Sequence, residues 1–409
     1  MEIRKISLLG HKDHGKSTLI GKMLMLTKSI SATRIQEARK ASNELGVKFE
    51  PAFLLDTFAD ERSGGMTFDN TRAQIIFKDV AFELIDVPGH EELIKSMLSG
   101  ASNSQFSLVV VSSKKDEGIT SQTRRHIYVS KLFGMTKYVI AVNKMDESRF
   151  DNNAFNSIKE DLKIFFSSIG LSDDKFSMVP ISAYTGENII KKSENMLWYD
   201  GNTLLDELII KTNSSIDSDD NSGRILLQSS MKLGNKRALL GEVVSGHFTL
   251  GEKLQVFPGG ADLKSFEFRK GNKQVRDIKK GDGVALLIDD ICLVDVRGLV
   301  VVNDGVSINI SSELKLKLFF ADKPKNQLTM YLNNVGIHVE DLIIQRIIDP
   351  TTGHLTQRHD ILPLDIAEVS VKLSKPVACV EFERCRELGR VVFNSENKFI
   401  AAGIITSVS

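Results

Sequence analysis

Gly10-His11-Lys12-Asp13-His14-Gly15-Lys16-Ser17-Thr18 constrains this chain more than any other stretch. It fits the pattern G-x4-G-K-[ST] and stands between an apolar run, Ile6 to Leu9, and a helical pattern, Ser17 to Met25. Strand, Gly-rich turn and helix start, in that order, make an anion cradle. The glycines let backbone N–H groups curl around a phosphate, and the helix dipole favours its charge. Lys16 is placed to reach the β- and γ-phosphates of a nucleotide, and Ser17 to hold Mg²⁺. An ordinary glycine-rich strand–helix junction has the same local spacing, so the decision rests on the residues further along the chain.

Those residues alternate regularly. Phe82 to Ile85, Leu108 to Val111, Tyr138 to Val142 and Met178 to Ile181 are short apolar runs with the character of buried strands. Helical patterns such as Ala154 to Phe166 lie between them. Strand and helix in alternation predict a doubly wound, mostly parallel sheet covered on both faces, an α/β domain over residues 1–212. The polar stretch from Ser214 to Gly223 has little to bury and marks a linker, residues 213–223. Beyond it the texture changes to short strands and Gly turns: Gly241 to Val244, Lys253 to Phe257, Val284 to Ile288, Gly298 to Val302. That spacing predicts a small β-barrel over 224–304. A second β-rich set over 305–409 ends in Phe399 to Ile405.

Two further motifs stand at the ends of predicted strands. Asp86-Val87-Pro88-Gly89-His90 follows Phe82 to Ile85. A carboxylate there suits a Mg²⁺-bound water, and the Gly89 N–H suits a γ-phosphate. Asn143-Lys144-Met145-Asp146 follows Tyr138 to Val142, and Ser182-Ala183 follows Met178 to Ile181. A carboxylate such as Asp146 accepts two hydrogen bonds from the N1–H and exocyclic amine of guanine, a donor pair that adenine lacks. Asn143 then braces the loop, Lys144 lies along the base, and Ala183 offers its N–H to the guanine carbonyl. Thr67, in the Gly-rich segment Glu61 to Asp69, is the candidate that reaches Mg²⁺ and γ-phosphate together. The His90 imidazole, beside Gly89, is placed to orient water, or else caps a helix beginning near Glu91. The candidate site thus takes GTP or GDP with Mg²⁺.

Composition excludes more than it selects. Lys plus Arg equals Asp plus Glu at 53 each, so no global charge draws the chain to nucleic acid or membrane. No apolar run approaches the ~18 residues of a membrane span, and the N-terminus carries no signal-peptide pattern. Cys292, Cys379 and Cys385 are odd in number and lack metal or disulfide spacing, which predicts a reduced, cytoplasmic protein. A monomer is expected. His354 and His359 lie in a polar stretch as solvated residues, and Arg384, Arg386 and Arg390 as a solvated charged turn.

These residues resemble a known family, the translational GTPases of the elongation factor 1-alpha and elongation factor Tu type. The resemblance rests on Gly10 to Thr18 with both histidines, Asp56 to Asp69, Asp86 to His90, Asn143 to Asp146, and Ser193 to Leu205. It continues more weakly through Asp349 to Gly353, Leu388 to Arg390 and Ala401 to Gly403. It implies a GTPase domain followed by two β-barrels, and His90 as the residue that positions the attacking water. It also implies delivery of aminoacyl-tRNA, or a tRNA-like protein, to the ribosome, with a nucleotide-exchange factor among the partners.

Two departures qualify the expected role. Ser63-Gly64-Gly65-Met66-Thr67-Phe68 stands where the family has a basic residue before a single Gly, which predicts a looser segment and altered basal hydrolysis. Ile288-Asp289-Asp290-Ile291 replaces an Arg-Gly pair near the tRNA acceptor end, and two carboxylates repel phosphate. Gln122 to His126 and Asp289-Asp290 are also similar to the GTPase subunit that assists ATP sulfurylase. That subunit is one alternative reading. A GTP-dependent scaffold with vestigial hydrolysis is another.

Overall fold

The computed structural model describes residues 3–44, 46, 49–54, 71–86, 94, 106–213, 222–263, 266–289, 295–324, 327–396 and 398–408. The chain divides into two compact units, one running to Ile216 and including Asp349–His354, the other holding the remainder.

In the first unit, β1 (Ile3–Gly10) leads into α1 (Lys16–Leu26) and α2 (Ala32–Glu44). Then come β2 (Thr71–Phe77), β3 (Val80–Asp86), β4 (Phe106–Ser112), α3 (Ser121–Leu132), β5 (Lys137–Asn143), α4 (Asn152–Ser168), β6 (Phe176–Pro180) and α5 (Leu204–Asn213). Among the described residues the sheet has the order β2-β3-β1-β4-β5-β6, and each neighbouring pair is parallel except β2 with β3. The five expected strands all form. The antiparallel β2 was not foreseen, because Thr71–Phe77 reads as a polar-flanked connector until its partner β3 is known.

The central strands are buried on both faces, so their sequences read as continuous apolar runs rather than as alternation. Ile6, Leu8, Leu108, Val110, Val139 and Ala141 pack with Leu19, Ile20 and Met23 of α1 and with Leu204, Leu205 and Leu208 of α5. On β1 and β4 also rests α3, and Phe166 of α4 stacks on Phe176 at 4.4 Å. Each helix starts with a local reason. Thr120 caps α3 by accepting from the Thr123 N–H at 3.2 Å, and Asp151 caps α4 by accepting from the Asn153 N–H at 3.0 Å. In space β3 lies on one side of β1 and β4 on the other. The chain therefore reverses direction of winding at β1, and a crevice opens beyond the C-terminal ends of these strands, the place where open α/β sheets bind ligands.

The described residues of the second unit form β-strands and turns without a helix. An eight-stranded antiparallel sheet, with a two-stranded ribbon of His247–Thr249 and Asp277–Lys279, forms among the described residues of 222–303. Sheet and ribbon share one core, in which Phe248 and Ile278 of the ribbon meet Ile225, Leu239, Phe268 and Leu286 of the sheet. The last set closes into a six-stranded barrel in the order Asn309–Phe320, Ile366–Cys379, Val335–Ile348, Thr329–Leu332, Arg390–Ser395, Lys398–Val408. Its first strand shows why: Leu314, Leu316 and Leu318 point into the core while Lys315 and Lys317 point away from it, the period of two that a barrel wall requires. Val244, Val300 and Val302 of the first set pack with Ile308, Ala378, Val380 and Leu388 of the second, so an apolar seam joins the two.

Cys379 and Cys385 are buried free thiols, and burial pushes both up to about 11 in pKa; Cys292 lies outside the described residues. His354 and His359 are exposed, and no metal-holding cluster occurs among the described residues. No helix among them is long and apolar enough to cross a membrane. Most of the expected linker, 214–221, lies outside the described residues.

Candidate functional site

The sheet brings the motif residues to one edge. Gly10 ends β1 opposite Val110 of β4, Asp86 ends β3 opposite Leu8, Asn143 ends β5 opposite Ser112, and Pro180 ends β6 opposite Val142. Residues far apart in sequence thus emerge side by side at the C-terminal ends of β1, β3, β5 and β6.

The phosphate loop has the backbone its glycines require. Gly10 sits at φ +137°, and a Cβ there would stand 2.3 Å from the Val110 carbonyl oxygen. Gly15 sits at φ +84°, and a Cβ would stand 2.6 Å from Nδ2 of Asn143. Gly15 is also the N-cap residue of α1, so no side chain caps the first-turn N–H groups of Lys16, Ser17 and Thr18. That leaves an eleven-residue helix opening onto the crevice with its amide donors turned outward, which fits a phosphate. Lys16 is buried, and its Nζ donates to the carbonyls of Gly10 and His11, each at 3.0 Å. Burial lowers its pKa, while the charges of Asp86 and Asp13 raise it, so Asp86 lies within electrostatic reach of the ammonium. Ser17 and Thr18, both half-buried, stand in the first turn of α1.

The two histidines divide their tasks. His11 is partly exposed, and its Nδ1 accepts from the Asp13 N–H at 3.3 Å. His14 is 1% exposed and turns inward, with Nδ1 3.2 Å from the Val110 carbonyl. Burial pushes its pKa down to about 4, so the ring is neutral at pH 7. A carbonyl only accepts, so the proton sits on Nδ1. His14 therefore supports the loop from below rather than facing a ligand.

Asn143 joins the two halves of the site. It is 2% exposed; Nδ2 donates to the His14 carbonyl at 2.8 Å, and Oδ1 accepts from the Ala183 N–H at 2.8 Å. The bracing role expected of Asn143 thus has a geometry that ties phosphate loop to base loop. The Ala183 N–H, expected to meet a guanine carbonyl, is here directed to Asn143. Ser182 is fully buried, and its Oγ accepts from the Thr185 N–H at 3.1 Å, closing the turn after β6. Met145 fills the space beneath, its N–H donating to Ile181 O at 3.2 Å. Asp146 presents a buried Oδ1 with no hydrogen-bond partner among the described residues. An orphaned carboxylate oxygen is costly, and its position in the crevice fits the donor pair of a guanine edge.

Sequence reasoning did not find the loop after β4. Lys144 stands at φ +62° with its Nζ donating to Oε2 of Glu117 at 2.8 Å. Glu117 belongs to no expected motif. The signal that could have found it is positional: Asp116-Glu117-Gly118 is an acidic turn just beyond a predicted strand, at the same sheet edge as the motifs. Thr67, Gly89 and His90 lie outside the described residues.

Residues 1–224 match the family model described as elongation factor Tu GTP binding domain, and residues 323–406 match the GTP-eEF1A C-terminal domain-like model. The elongation factor 1-alpha of Metallosphaera sedula is 31% identical over 98% of this chain and 96% of its own length. That of Saccharolobus solfataricus is 31% identical over the same shares of the two chains. A solved structure of sup35 complexed with GDP is 18% identical at a TM-score of 0.44, covering 100% of this chain and 94% of that one. These matches lend no support to a subunit that assists ATP sulfurylase.

Proposed function

Because this chain belongs to the elongation factor Tu GTP-binding family, as a divergent translational GTPase of the elongation factor 1-alpha type, we propose that it is a GTP-hydrolysing switch that carries aminoacyl-tRNA or a tRNA-shaped protein to the ribosome. One observation carries the nucleotide half of the reading. Asn143 binds the His14 carbonyl and the Ala183 amide at once, so the phosphate loop and the base loop form a single preassembled site.

In that site the first-turn amides of α1 and the ammonium of Lys16 hold the phosphates, and Asp146 reads the guanine edge. Lys16 must exchange its two carbonyl partners for phosphate oxygens. The described residues fit Mg²⁺ as well: Ser17 stands in the first turn of α1 and Asp86 ends the adjacent strand, and by the sequence motif Thr67 would be the third. The ion supplies neutralisation of charge on the β- and γ-phosphates. His90 orients the attacking water. His90→Ala keeps nucleotide binding and loses partner-stimulated turnover in a phosphate-release assay.

The tRNA half rests on the family relationship, and the charges around Asp289 bear on it. Its Oδ1 lies 3.8 Å from Nζ of Lys236, which also donates to Glu267 at 2.8 Å, and Arg269 stands 3.8 Å from Glu267. One cation, Lys236, thus stands beside Asp289, and because Glu267 shares that ammonium the carboxylate is only partly offset. The test is GTP hydrolysis by the purified chain with and without ribosomes, beside GTP-dependent protection of aminoacyl-tRNA from deacylation. Stimulation with protection is the expected result. Hydrolysis insensitive to ribosomes, without protection, would move the role to a dedicated protein partner.

A further inference from the structure

The loop between β4 and α3 is laced to the base-reading loop after β5 at four places. The Ser113 N–H donates to the Asn143 carbonyl at 2.8 Å, and Ser113 Oγ lies 2.7 Å from Ser148 Oγ. Nζ of Lys144 donates to Glu117 Oε2 at 2.8 Å, and Lys114 pairs with both Glu117 and Glu147. These ties differ in weight. Lys114 and Glu147 are well exposed, and pairs of that kind contribute little. Glu117 and Lys144 are 30% and 18% exposed, so their contact is shielded and charge-assisted. Lys114 stands 3.5 Å from the other oxygen of Glu117.

Lys144 needs such a partner. Its backbone is in the left-handed region, uncommon for a residue with a side chain. Its task, lying along the base, requires one rotamer of a flexible four-carbon stem. Holding that rotamer before the ligand arrives removes an ordering cost from binding.

We propose that Glu117, through its hydrogen bond to Lys144, is a positioning residue that sets how long this site retains a guanine nucleotide, making the loop after β4 a working part of the base pocket. The proposal rests on the guanine-nucleotide reading of the site. Glu117 does not touch the nucleotide; it acts through Lys144.

The experiment is a double-mutant cycle on the full chain, with the dissociation of a fluorescent GDP analogue followed by stopped flow. Glu117→Gln raises the dissociation rate about tenfold, the loss expected for one charge-assisted hydrogen bond. Lys144→Met raises it at least as much, and Glu117→Gln adds nothing in the Lys144→Met background. Glu117→Asp keeps the charge and recovers part of the retention. The unfolding midpoint followed by Trp198, the one tryptophan of the chain, falls by no more than the few degrees that one lost hydrogen bond explains, and by a similar amount in Glu117→Gln and Lys144→Met, which separates positioning from wider damage to the fold. Additive effects of the two substitutions, or a Glu117→Gln rate within twofold of the wild type, would overturn the proposal. Absence of GDP retention by the wild type would overturn the nucleotide reading, and the clamp with it.

Discussion

Asn143→Ala tests the joint between phosphate loop and base loop most directly. The substitution removes an acceptor from the Ala183 N–H and a donor from the His14 carbonyl, both at 2.8 Å and both buried. A buried backbone group left without its partner costs about 1–3 kcal/mol. Two such groups sum to about 2–6 kcal/mol, and the lower part of that range applies because water can enter from the crevice. A loss of about 2–4 kcal/mol in the nucleotide-free protein is therefore expected. Trp198 lies in the first unit, so urea unfolding followed by tryptophan fluorescence reports on that unit alone and avoids the mixed transitions of a multidomain chain. The variant should show a lower midpoint with an unchanged slope, and GDP affinity should fall at least tenfold. A midpoint shift worth under about 0.5 kcal/mol, the size of an ordinary surface substitution, would show that the two loops do not depend on Asn143.

Other substitutions probe the same edge of the sheet. Gly15→Ala places a Cβ 2.6 Å from Asn143 Nδ2 at a φ of +84°, so it should cost more than 1 kcal/mol in the same urea titration and weaken GDP binding in equilibrium fluorescence; wild-type values for both would contradict the described loop. Asp146→Asn should relax guanine preference toward xanthosine diphosphate, and competition binding that still favours GDP would remove Asp146 from base reading. His14 gives a pH signature. Its folded pKa near 4 lies below the ordinary 6.5 of the unfolded chain, so the unfolded state binds the extra proton in between. Stability is therefore full above pH 6.5 and falls toward pH 4, by about 3 kcal/mol for this group. The groups facing it are His11, Glu117, Lys144 and the Val110 carbonyl. Wild type minus His14→Gln in urea midpoints across pH 4–7 isolates the term, and parallel curves would refute it.

Some of this was legible from the chain and some was not, for definite reasons. The strands of the first unit could be read because a parallel sheet buries both faces, leaving runs such as Leu108 to Val111 and Tyr138 to Val142 that stand out from their surroundings. The candidate phosphate loop and Asp146 stand out as motifs because their residues are local in sequence. Glu117 could not, since its partner Lys144 is 27 residues away and only the alignment of β4 with β5 brings the two loops together. His14 lies inside the motif, but its inward turn depends on the Val110 carbonyl, 96 residues on, and so is not written in the local sequence. The closed barrel was harder still. Val335–Ile348 contains bulges that break the alternation, at Val339/Asp341 and Ile344/Arg346, so its length is hidden from a period-two reading.

The hydrogen bonds of this sheet edge also bear on how a switch of this kind can work. Asn143, Ser182 and the Glu117–Lys144 pair are satisfied within the protein, so the proposed base-reading half is in place before any ligand arrives except for the Ala183 N–H, which Asn143 holds. Lys16 is in place too, but its two bonds go to loop carbonyls and must be surrendered to phosphate. In the proposed reading, base recognition asks only the Ala183 N–H to leave Asn143 Oδ1, and the energy that distinguishes one phosphate state from another is concentrated around Lys16, Ser17 and Asp86. A ligand shifts a conformational equilibrium only by its differential interaction with the two states. A preformed base pocket interacts alike with GDP and GTP and so contributes retention, whereas the state-dependent term must come from the phosphate end. Substitutions at Glu117 and Asn143 should accordingly change the residence of GDP and GTP by the same factor, and those at Lys16 or Asp86 should change the ratio between them.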